Sequence, residues 1–341
     1  MKSTSETTED VSIETTEKAL AEPGRGALIS ELTKARLTTL VLVTTAMGYV
    51  LGRAESDQIE WALMGWTMLG TASAAAGSAI LNQVFERVRD GLMDRTKERP
   101  VPSGRISRAA AFAAGVLCSY AGVALLASMV NLLAAGLTLL TILVYILVYT
   151  PLKPLTTVNT IVGAISGALP PMIGWSAATG GLEAGAWVIG GILFIWQLPH
   201  FLALAWMYRK DYARGGHLML PVVDPRGDIT AQVMLMTSLL LVPVGLLATL
   251  LGVAGWWSAL ASIIMGIWFS LRCLGFWRRR DENSARSAFR ASLLYLPVMM
   301  LVMVLDRGSV SPMASIRGGR DAITEFGQPI PKSEVIQEVD R

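Results

Sequence analysis

Charged side chains are scarce in this chain, and they are unevenly placed. Of its 341 residues only 16% are charged and 52% are hydrophobic, whereas soluble domains usually carry about 25% charged residues. No charge occurs from Ala109 to Leu152 or from Ile229 to Leu271. From Pro154 to Tyr208 the only charge is Glu183. Each stretch can hold two membrane helices of about 20 residues, which excludes an ordinary soluble enzyme and a disordered chain.

Cysteine and histidine are also rare. The two cysteines, Cys118 and Cys273, lie in or beside apolar helical stretches, which is typical of small buried hydrophobic residues. Their placement excludes a disulfide scaffold and predicts neither a redox pair nor a metal site. The two histidines, His200 and His217, are the only imidazoles available for catalysis or ligation.

Both ends of the chain are polar. Residues 1–33 are rich in Ser, Thr and Glu, and their acidic content argues against a mitochondrial transit peptide. We predict a disordered tail over 1–33, an intramembrane domain over 34–305 and a polar tail over 306–341.

The sequence predicts an all-α, polytopic membrane protein. Nine membrane helices are expected, at about 37–53, 61–81, 108–128, 132–150, 157–178, 185–206, 229–251, 255–272 and 288–305. Most of the basic residues fall in the N-terminal segment and in the loops after the second, fourth, sixth and eighth helices. Because basic loops stay in the cytoplasm, we predict a cytoplasmic N-terminus and an external C-terminal tail.

The second helix continues into an acidic row. Asn82, Glu86, Asp90, Asp94 and Glu98 recur every four residues, so a continuous helix would place them along one face. Such carboxylates repel one another by a few tenths of a kcal/mol per pair. Neighbouring arginines can offset this repulsion on a merely solvated helix, and a divalent cation can offset it more strongly.

Oxygen ligands of this kind select Mg²⁺, which typically binds one or two carboxylates together with substrate phosphates. Arginines interleave the row, which suits an anion held through the metal. At a membrane surface this combination points to a lipid diphosphate. The chemistry is then ionisation of an allylic carbon–oxygen bond, with metal and cations stabilising the leaving diphosphate.

Two further segments carry candidate residues. In the sixth helix Gln197 and His200 lie three apart, and we expect them to share a face. His200 has three readings: an interhelical hydrogen bond, a ligand of haem-type iron, or a proton acceptor. Lys153, the only cation in its turn, either reaches lipid headgroups or faces the diphosphate. Asp211 again places a carboxylate among bases.

These residues together resemble the UbiA-type intramembrane prenyltransferases. Asn82, Glu86 and Asp90 resemble the first aspartate-rich motif of that family, and Tyr149 with Lys153 resembles its Tyr/Lys element. Within the family the similarity is to the haem O synthase branch. Three groups of residues show this similarity: Asp94-Arg95-Thr96 with Arg99-Pro100, the run Trp196-Gln197-Leu198-Pro199-His200-Phe201, and Asp211-Tyr212 leading to Met219-Leu220-Pro221.

The resemblance implies a nine-helix bundle in a bacterial inner membrane, with its active-site loops in the cytoplasm. It implies transfer of the farnesyl group of farnesyl diphosphate to the 2-vinyl group of haem B, with addition of water, and a downstream haem A synthase as a partner. Its catalytic residues would be Asn82, Glu86, Asp90, Lys153 and Asp211. The Mg²⁺ ligands would be Asn82, Glu86, Asp90 and Asp211; the diphosphate ligands Arg95, Arg99, Lys153 and Tyr149; and the haem ligands His200 and Gln197.

The sequence departs from the family pattern at several positions. Glu86 stands where Asp is common, Lys210 where many members place an acid, and Gly215 where a second Asp is usual. Asp224 or Asp228 are candidates to replace that second acid. Two alternatives stay open: a related prenyltransferase acting on an aromatic ring such as 4-hydroxybenzoate, and a transporter. The surface clustering of the acids disfavours the transporter, because transporters usually place polar residues at the midplane.

Overall fold

The structure is a computed structural model, and it describes residues 24–53 and 58–307. Within those ranges the regular structure is helical, with no strand. In chain order, the helices are α1 (Arg25–Leu32), α2 (Ala35–Gly52), α3 (Trp61–Asp90), α4 (Arg108–Met129), α5 (Leu132–Leu152), α6 (Asn159–Thr179), α7 (Ala184–Met207), α8 (Arg209–Arg214), α9 (Leu220–Val223), α10 (Asp228–Leu250), α11 (Trp256–Arg279) and α12 (Glu282–Leu305).

The all-α membrane fold is confirmed, but the count of nine membrane helices is not. Among the helices of the described chain, eight are long and apolar enough to cross a membrane. The exception is α3, the helix predicted to cross over 61–81. Its residues 65–79 are mostly Gly, Ala, Ser and Thr, which lower its hydropathy and instead suit close packing against a neighbour.

Small residues set how α2 approaches α6. A Cβ added to Gly48 would lie 1.9 Å from the carbonyl oxygen of Pro171, and one added to Gly174 would lie 1.9 Å from that of Thr45. Only glycine allows backbones to pass this closely. The reciprocal contact fixes α2 along α6, next to the two prolines, Pro170 and Pro171, that lie inside α6.

The second half of the bundle packs through large side chains instead. Trp196 and Trp206 of α7 meet Phe269 and Phe276 of α11 and Tyr295 of α12 in one buried cluster. The Trp206 and Phe276 rings meet edge to face, with their centroids 5.1 Å apart. This aromatic core holds α7, α11 and α12 as one unit.

The segment expected to be a disordered tail is partly helical. Residues 1–23 lie outside the described part of the chain, but Arg25–Leu32 forms α1. The Gln83 side-chain amide donates hydrogen bonds to the carbonyls of Glu31 and Leu32, at 3.1 and 2.9 Å. Leu32 is buried against Ile80 and Val84. Contacts with α3 therefore order a segment whose composition alone predicted disorder.

Helix ends extend beyond the predicted spans where charged residues continue the helix outside the apolar stretch. The eighth predicted helix, over 255–272, runs over Trp256–Arg279 in α11. The ninth, over 288–305, begins earlier, at Glu282 in α12. The Asp281 carboxylate caps α12 by accepting a hydrogen bond from the Ser284 amide at 2.7 Å. The predicted C-terminal tail falls mostly on residues 308–341, which lie outside the described residues.

The helix α5 changes its winding near its end. Residues Val144–Tyr149 form a π-helical turn, and Thr150–Leu152 returns to α-helix. The Tyr145 and Tyr149 rings stack with centroids 5.6 Å apart. Lys153 follows directly, at the same end of the bundle as the charged end of α3.

Candidate active site

The last turns of α3 carry three of the predicted site residues on one buried face. Asn82 is 1% exposed, Glu86 5% and Asp90 1%. The Asn82 amide nitrogen donates to the Glu86 carboxylate at 2.9 Å and lies 3.2 Å from the Thr150 hydroxyl of α5. The prediction that the fourfold spacing places these three side chains on one face is therefore confirmed.

The acidic row stops at Asp90, which corrects the expectation of one continuous face through Glu98. Helix α3 ends there, and turns follow from Gly91. The Thr96 hydroxyl donates to the Asp90 carbonyl at 2.7 Å and so closes the turn. Asp94 points to solvent instead, with its side chain 61% exposed, and pairs with Arg214 and Lys97.

Each of the three buried acceptors meets a cation from a different part of the chain. The Lys34 ammonium donates to Asn82 Oδ1 at 2.6 Å, from the turn before α2. The Lys153 ammonium donates to Glu86 Oε2 at 2.9 Å. Arg99 donates to Asp90 Oδ2 at 2.8 Å, from the turns after α3. Two carboxylates thus face three cations, and the excess positive charge suits an anion.

Lys34 is the residue of this set that the sequence did not single out. Its backbone is left-handed, with φ 49° and ψ 52°, a conformation that costs a non-glycine residue about 1–2 kcal/mol. This backbone conformation directs the Lys34 side chain toward Asn82, so that its ammonium lies inside the site. Burial, together with the charges of Arg99 and Lys153, lowers the pKa of Lys34 to about 7. A left-handed residue between two helices leaves no signal in the sequence pattern.

Lys153 links the ionic site to an aromatic pair. Its ammonium lies 4.5 Å from the centroid of the Tyr149 ring, a cation–π contact. Burial lowers the pKa of Lys153, but Tyr149 and Glu86 outweigh it and hold that pKa above its ordinary value. Lys153 is 9% exposed. It is therefore a fixed positive charge inside the site, and the reading in which it reaches lipid headgroups does not describe it.

The segment between α7 and α10, residues 208–227, is the second loop, and the segment after α3, residues 91–107, is the first loop. The two loops are in contact, and the second-loop carboxylate of Asp211 accepts hydrogen bonds from backbone amides of the first. Asp211 accepts hydrogen bonds from the amides of Asp94 and Arg95, at 3.1 and 3.3 Å. Arg214 pairs with the same carboxylate. The guanidinium of Arg95 lies over the Tyr212 ring at 5.8 Å. Asp211 thus clamps the turns after α3.

The two carboxylates considered as replacements for a second acid have other contacts. Asp224 accepts hydrogen bonds from the Thr230 amide and hydroxyl, at 2.8 and 2.9 Å, and so caps the start of α10. Asp228 pairs with Arg280 at 2.6 Å. Both interactions tie loop ends together. These contacts account for the two carboxylates without a metal, and a role of either as the missing acid stays a prediction.

His217 is a second residue that the sequence analysis gave little weight. It is 2% exposed, and its Nδ1 atom makes no hydrogen bond. Burial lowers the pKa of His217 to about 4, and Glu86 and Lys153 are among the charges that act on it. The neighbouring Leu218 amide donates to the Lys153 carbonyl at 2.7 Å, so the second loop is fixed against the end of α5.

A cavity of about 280 Å³ lies under this ionic site. Its walls are mainly apolar and come from α2, α3, α5, α6 and α7, and its polar groups include Tyr149, Gln197 and Tyr212. The Tyr149 ring thus borders both Lys153 and the cavity. The arrangement places an apolar chamber beside the cations of the ionic site.

Gln197 and His200 do not share a face, contrary to expectation. Gln197 lines the cavity, and a Cβ at Gly167 would lie 2.0 Å from its Oε1 atom, so glycine there leaves room for this amide. His200 instead packs toward α12, stacked between Trp196 and Phe289 with centroids 4.8 and 4.9 Å away. The interhelical reading of His200 accounts for its contacts with α12. Of its ring neighbours, only Phe201 lines the cavity, with centroids 5.4 Å apart.

The tautomer of His200 follows from its partner. The Ser292 hydroxyl donates to the Phe289 carbonyl at 2.6 Å, so it must accept from His200 Nδ1, which lies 2.7 Å away. The Nδ1 atom therefore carries the proton. The lone pair of Nε2 stays available to a further partner.

The donor set tests whether Mg²⁺ suits the site. Asn82, Glu86 and Asp90 supply hard oxygen donors, and Glu86 Oε1 accepts no hydrogen bond although Lys153 lies 2.7 Å away. Within residues 24–53 and 58–307, no group of three or more His, Cys, Asp or Glu side chains could hold a metal alone. Two carboxylates and an amide fit an ion that keeps waters and shares substrate phosphates.

Comparison with known proteins agrees with this geometry. A profile of the UbiA prenyltransferase family matches residues 41–294. A protein named protoheme IX farnesyltransferase, from Solibacter usitatus, is 43% identical over 284 residues, which cover 81% of this chain and 97% of the relative. The chain belongs to the UbiA prenyltransferase family.

Solved structures support the same family fold. A structure described as digeranylgeranylglyceryl phosphate synthase in membranes matches with a TM-score of 0.70 at 14% identity, covering 82% of this chain and 97% of that one. A UbiA homologue from Archaeoglobus fulgidus, bound to DMAPP and Mg²⁺, matches with a TM-score of 0.60 at 16% identity, covering 81% and 98%. This member of the UbiA family is therefore an integral membrane protein.

Proposed function

We propose that this chain transfers the farnesyl group of farnesyl diphosphate to the 2-vinyl group of haem B and so makes haem O. The supporting observation is the buried ionic site, in which Lys34, Arg99 and Lys153 face Asn82, Asp90 and Glu86 above an apolar cavity. The name of the Solibacter relative adds the acceptor.

The reaction begins with heterolysis of the allylic carbon–oxygen bond. The electron pair leaves with the diphosphate, and the terminal vinyl carbon of haem B attacks the allylic cation. Water then adds to the cation formed next to the porphyrin ring, and one proton is released. The apolar cavity protects the allylic cation from water before the carbon–carbon bond forms.

The residues at the ionic site have separable roles in this proposal. Lys153, Arg99 and Arg95 neutralise the leaving diphosphate, and Tyr149 orients Lys153 from the cavity wall. Lys34 joins these three as a fourth, partly buried cation. Asn82, Glu86 and Asp90 would hold Mg²⁺, which when bound would neutralise negative charge on the diphosphate oxygens. Asp211 remains a predicted ligand, although its contacts support a clamp on the loop.

The acceptor side rests on Gln197 and His200. We propose that Gln197 contacts the porphyrin from the cavity wall, and that His200 Nε2 offers its lone pair to the iron. Replacing His200 with Gln should weaken haem B binding, measured from the Soret absorbance, and leave farnesyl diphosphate binding unchanged. Unchanged haem binding in His200→Gln would leave only the interhelical role that its bond to Ser292 supports.

The proposal also places the protein. We propose a bacterial inner membrane, with the ionic site facing the cytoplasm and the helical bundle of 34–305 as the catalytic unit. Haem O would pass to a downstream haem A synthase. Impermeant labelling of a cysteine introduced at Arg226, whose side chain is 90% exposed, tests the orientation in right-side-out and inverted vesicles. Labelling only in right-side-out vesicles would contradict it.

An acceptor assay tests the reaction itself. Purified protein receives farnesyl diphosphate and Mg²⁺ with either haem B or 4-hydroxybenzoate, and products are separated by chromatography. We expect haem O and diphosphate with haem B, and no prenylated phenol. Product only with 4-hydroxybenzoate would assign the chain to an aromatic acceptor. Transport of an allylic substrate without diphosphate release would assign it to a transporter.

A further inference from the structure

A second basic region lies apart from the active site, between α11 and α12. Two hollows of about 530 and 210 Å³ adjoin there, because Arg272, Asn283 and Ser287 line both. Arg286 and Arg290 complete the larger hollow. Together these hollows form one groove, the α11/α12 groove, and its residues line neither the reaction cavity nor the ionic site.

Positive charge in the α11/α12 groove is hardly compensated. Its arginines are Arg272, Arg279, Arg286 and Arg290, and no carboxylate lines either hollow. Of these four arginines, only Arg286 forms an ion pair within the described residues, with Glu282 at 2.5 Å. Arg279 also interacts electrostatically with the Asp281 carboxylate, which lies outside both hollows. Arg286 and Arg290 lie four apart on α12, where like charges destabilise a helix. A bound anion would remove that repulsion.

The position of the groove relative to the bilayer narrows the choice of anion. The Arg272 guanidinium lies 5.7 Å from the centroid of the Trp268 ring, and tryptophan is enriched where membranes meet water. Leu271 and Leu294, 58% and 52% exposed, border the groove and face outward. The groove therefore joins an apolar outer surface to the charged ends of α11 and α12, where phospholipid headgroups lie.

We propose that the α11/α12 groove binds the phosphate headgroup of an anionic phospholipid. The planar guanidinium group of arginine can donate two hydrogen bonds to the oxygens of one phosphate. Asn283 and Ser287 add uncharged donors. Leu271 and Leu294 would contact the acyl chains. Basic pockets between membrane helices bind anionic headgroups in this way. The assignment does not depend on which prenyl acceptor the active site uses.

Lipid binding to the full chain tests the proposal. Native mass spectrometry would count phosphatidylglycerol or phosphatidylcholine molecules retained by the detergent-purified protein and by Arg272→Gln/Arg290→Gln. Each arginine adds about fivefold to binding of an anionic surface, so the double variant should lose phosphatidylglycerol by tenfold or more. The matched control is Arg108→Gln/Arg226→Gln, which removes equal charge from exposed positions outside the groove and should bind like the wild type.

Two further measurements distinguish a lipid headgroup from free phosphate and test whether the positive charge is what binds it. Arg272→Lys/Arg290→Lys should retain most binding, because it keeps the positive charge, and inorganic phosphate at millimolar concentration should not displace the lipid. The proposal is overturned if phosphatidylcholine binds equally well, if the control loses as much binding, or if inorganic phosphate competes fully. It is also overturned if the Gln variant loses haem B binding while keeping phosphatidylglycerol, since the groove would then serve the porphyrin carboxylates.

Discussion

The carboxylates at the end of α3 and those of the second loop are buried to a similar degree, but different groups contact them. Glu86 and Asp90 meet the side chains of Lys153 and Arg99, whereas Asp211 and Asp224 accept hydrogen bonds from backbone amides. Side-chain cations can turn toward a substrate anion and leave the carboxylates to a metal. Backbone amides cannot move in this way without unfolding a turn. The difference supports our proposal that the first pair takes part in the reaction and that the second pair holds the fold of its loop.

Replacing Asp90 should have the largest effect. Asp90→Asn keeps the shape but removes the charge that balances Arg99, and one lost transition-state contact commonly costs about 10²–10³-fold in rate. We expect haem O to fall by that factor in extracts of cells expressing the variant, measured by chromatography, with the protein still inserted. The control is Asp94→Asn, at an exposed position. Equal activity in the two variants would remove Asp90 from the mechanism.

Lys34 should come next. Lys34→Met removes a partly buried cation, and a hydrogen bond from such a cation to a charged ligand is worth about 1.5–3 kcal/mol. We therefore expect KM for farnesyl diphosphate to rise by about tenfold or more, and KM for haem B to stay unchanged. Lys97→Met, at a half-exposed position, serves as the comparison. A matching rise in both KM values of Lys34→Met would indicate a disturbed fold rather than a diphosphate contact.

Asp211 separates the two kinds of carboxylate directly. If it only clamps the amides of Asp94 and Arg95, Asp211→Asn should lower the free energy of unfolding by about 0.5–2 kcal/mol, comparable with the loss of a helix cap. It should lower kcat/KM far less than Asp90→Asn does. The Mg²⁺ concentration for half-maximal activity should stay constant. A shift of that concentration by tenfold would instead make Asp211 a metal ligand, as the sequence suggested.

The smallest effect on activity is expected at Asp224. Asp224→Ala leaves the Thr230 amide at the start of α10 without its acceptor, which costs about 1 kcal/mol. The thermal midpoint should fall slightly, and haem O synthesis should stay within about twofold of the wild type. A strong loss of activity in a variant that remains folded would break the distinction between the loops.

Periodicity predicted only the part of the site that one helix carries. Asn82, Glu86 and Asp90 follow from their spacing, because α3 holds the register across all three. The cations that meet them come from distant turns, so no local pattern places Lys34 beside Asn82. The extension of the row to Glu98 failed because Gly91 begins a turn and Thr96 closes it.

The membrane fold was predictable for a related reason. Runs without charge predict spanning helices wherever apolar residues fill them, but α3 packs through Gly, Ala, Ser and Thr, and hydropathy alone does not register it as a span. The sequence spacing of Gln197 and His200 places them on adjacent parts of the α7 surface, but it does not say which neighbouring helix each contacts. Gln197 lines the cavity. The contact with Ser292 on α12 draws His200 away from it.

The π-helical turn in α5 changes the direction in which the side chains after it point. A π turn contains one residue more than an α-helical turn, so each later side chain is rotated by about 100° relative to an uninterrupted α-helix. Tyr149 is the last residue of the π-helical turn, and Lys153 follows it after the three α-helical residues Thr150–Leu152. The extra residue in the turn therefore rotates Lys153 inward, toward Glu86. The part of α5 before the turn keeps the same face toward the lipid.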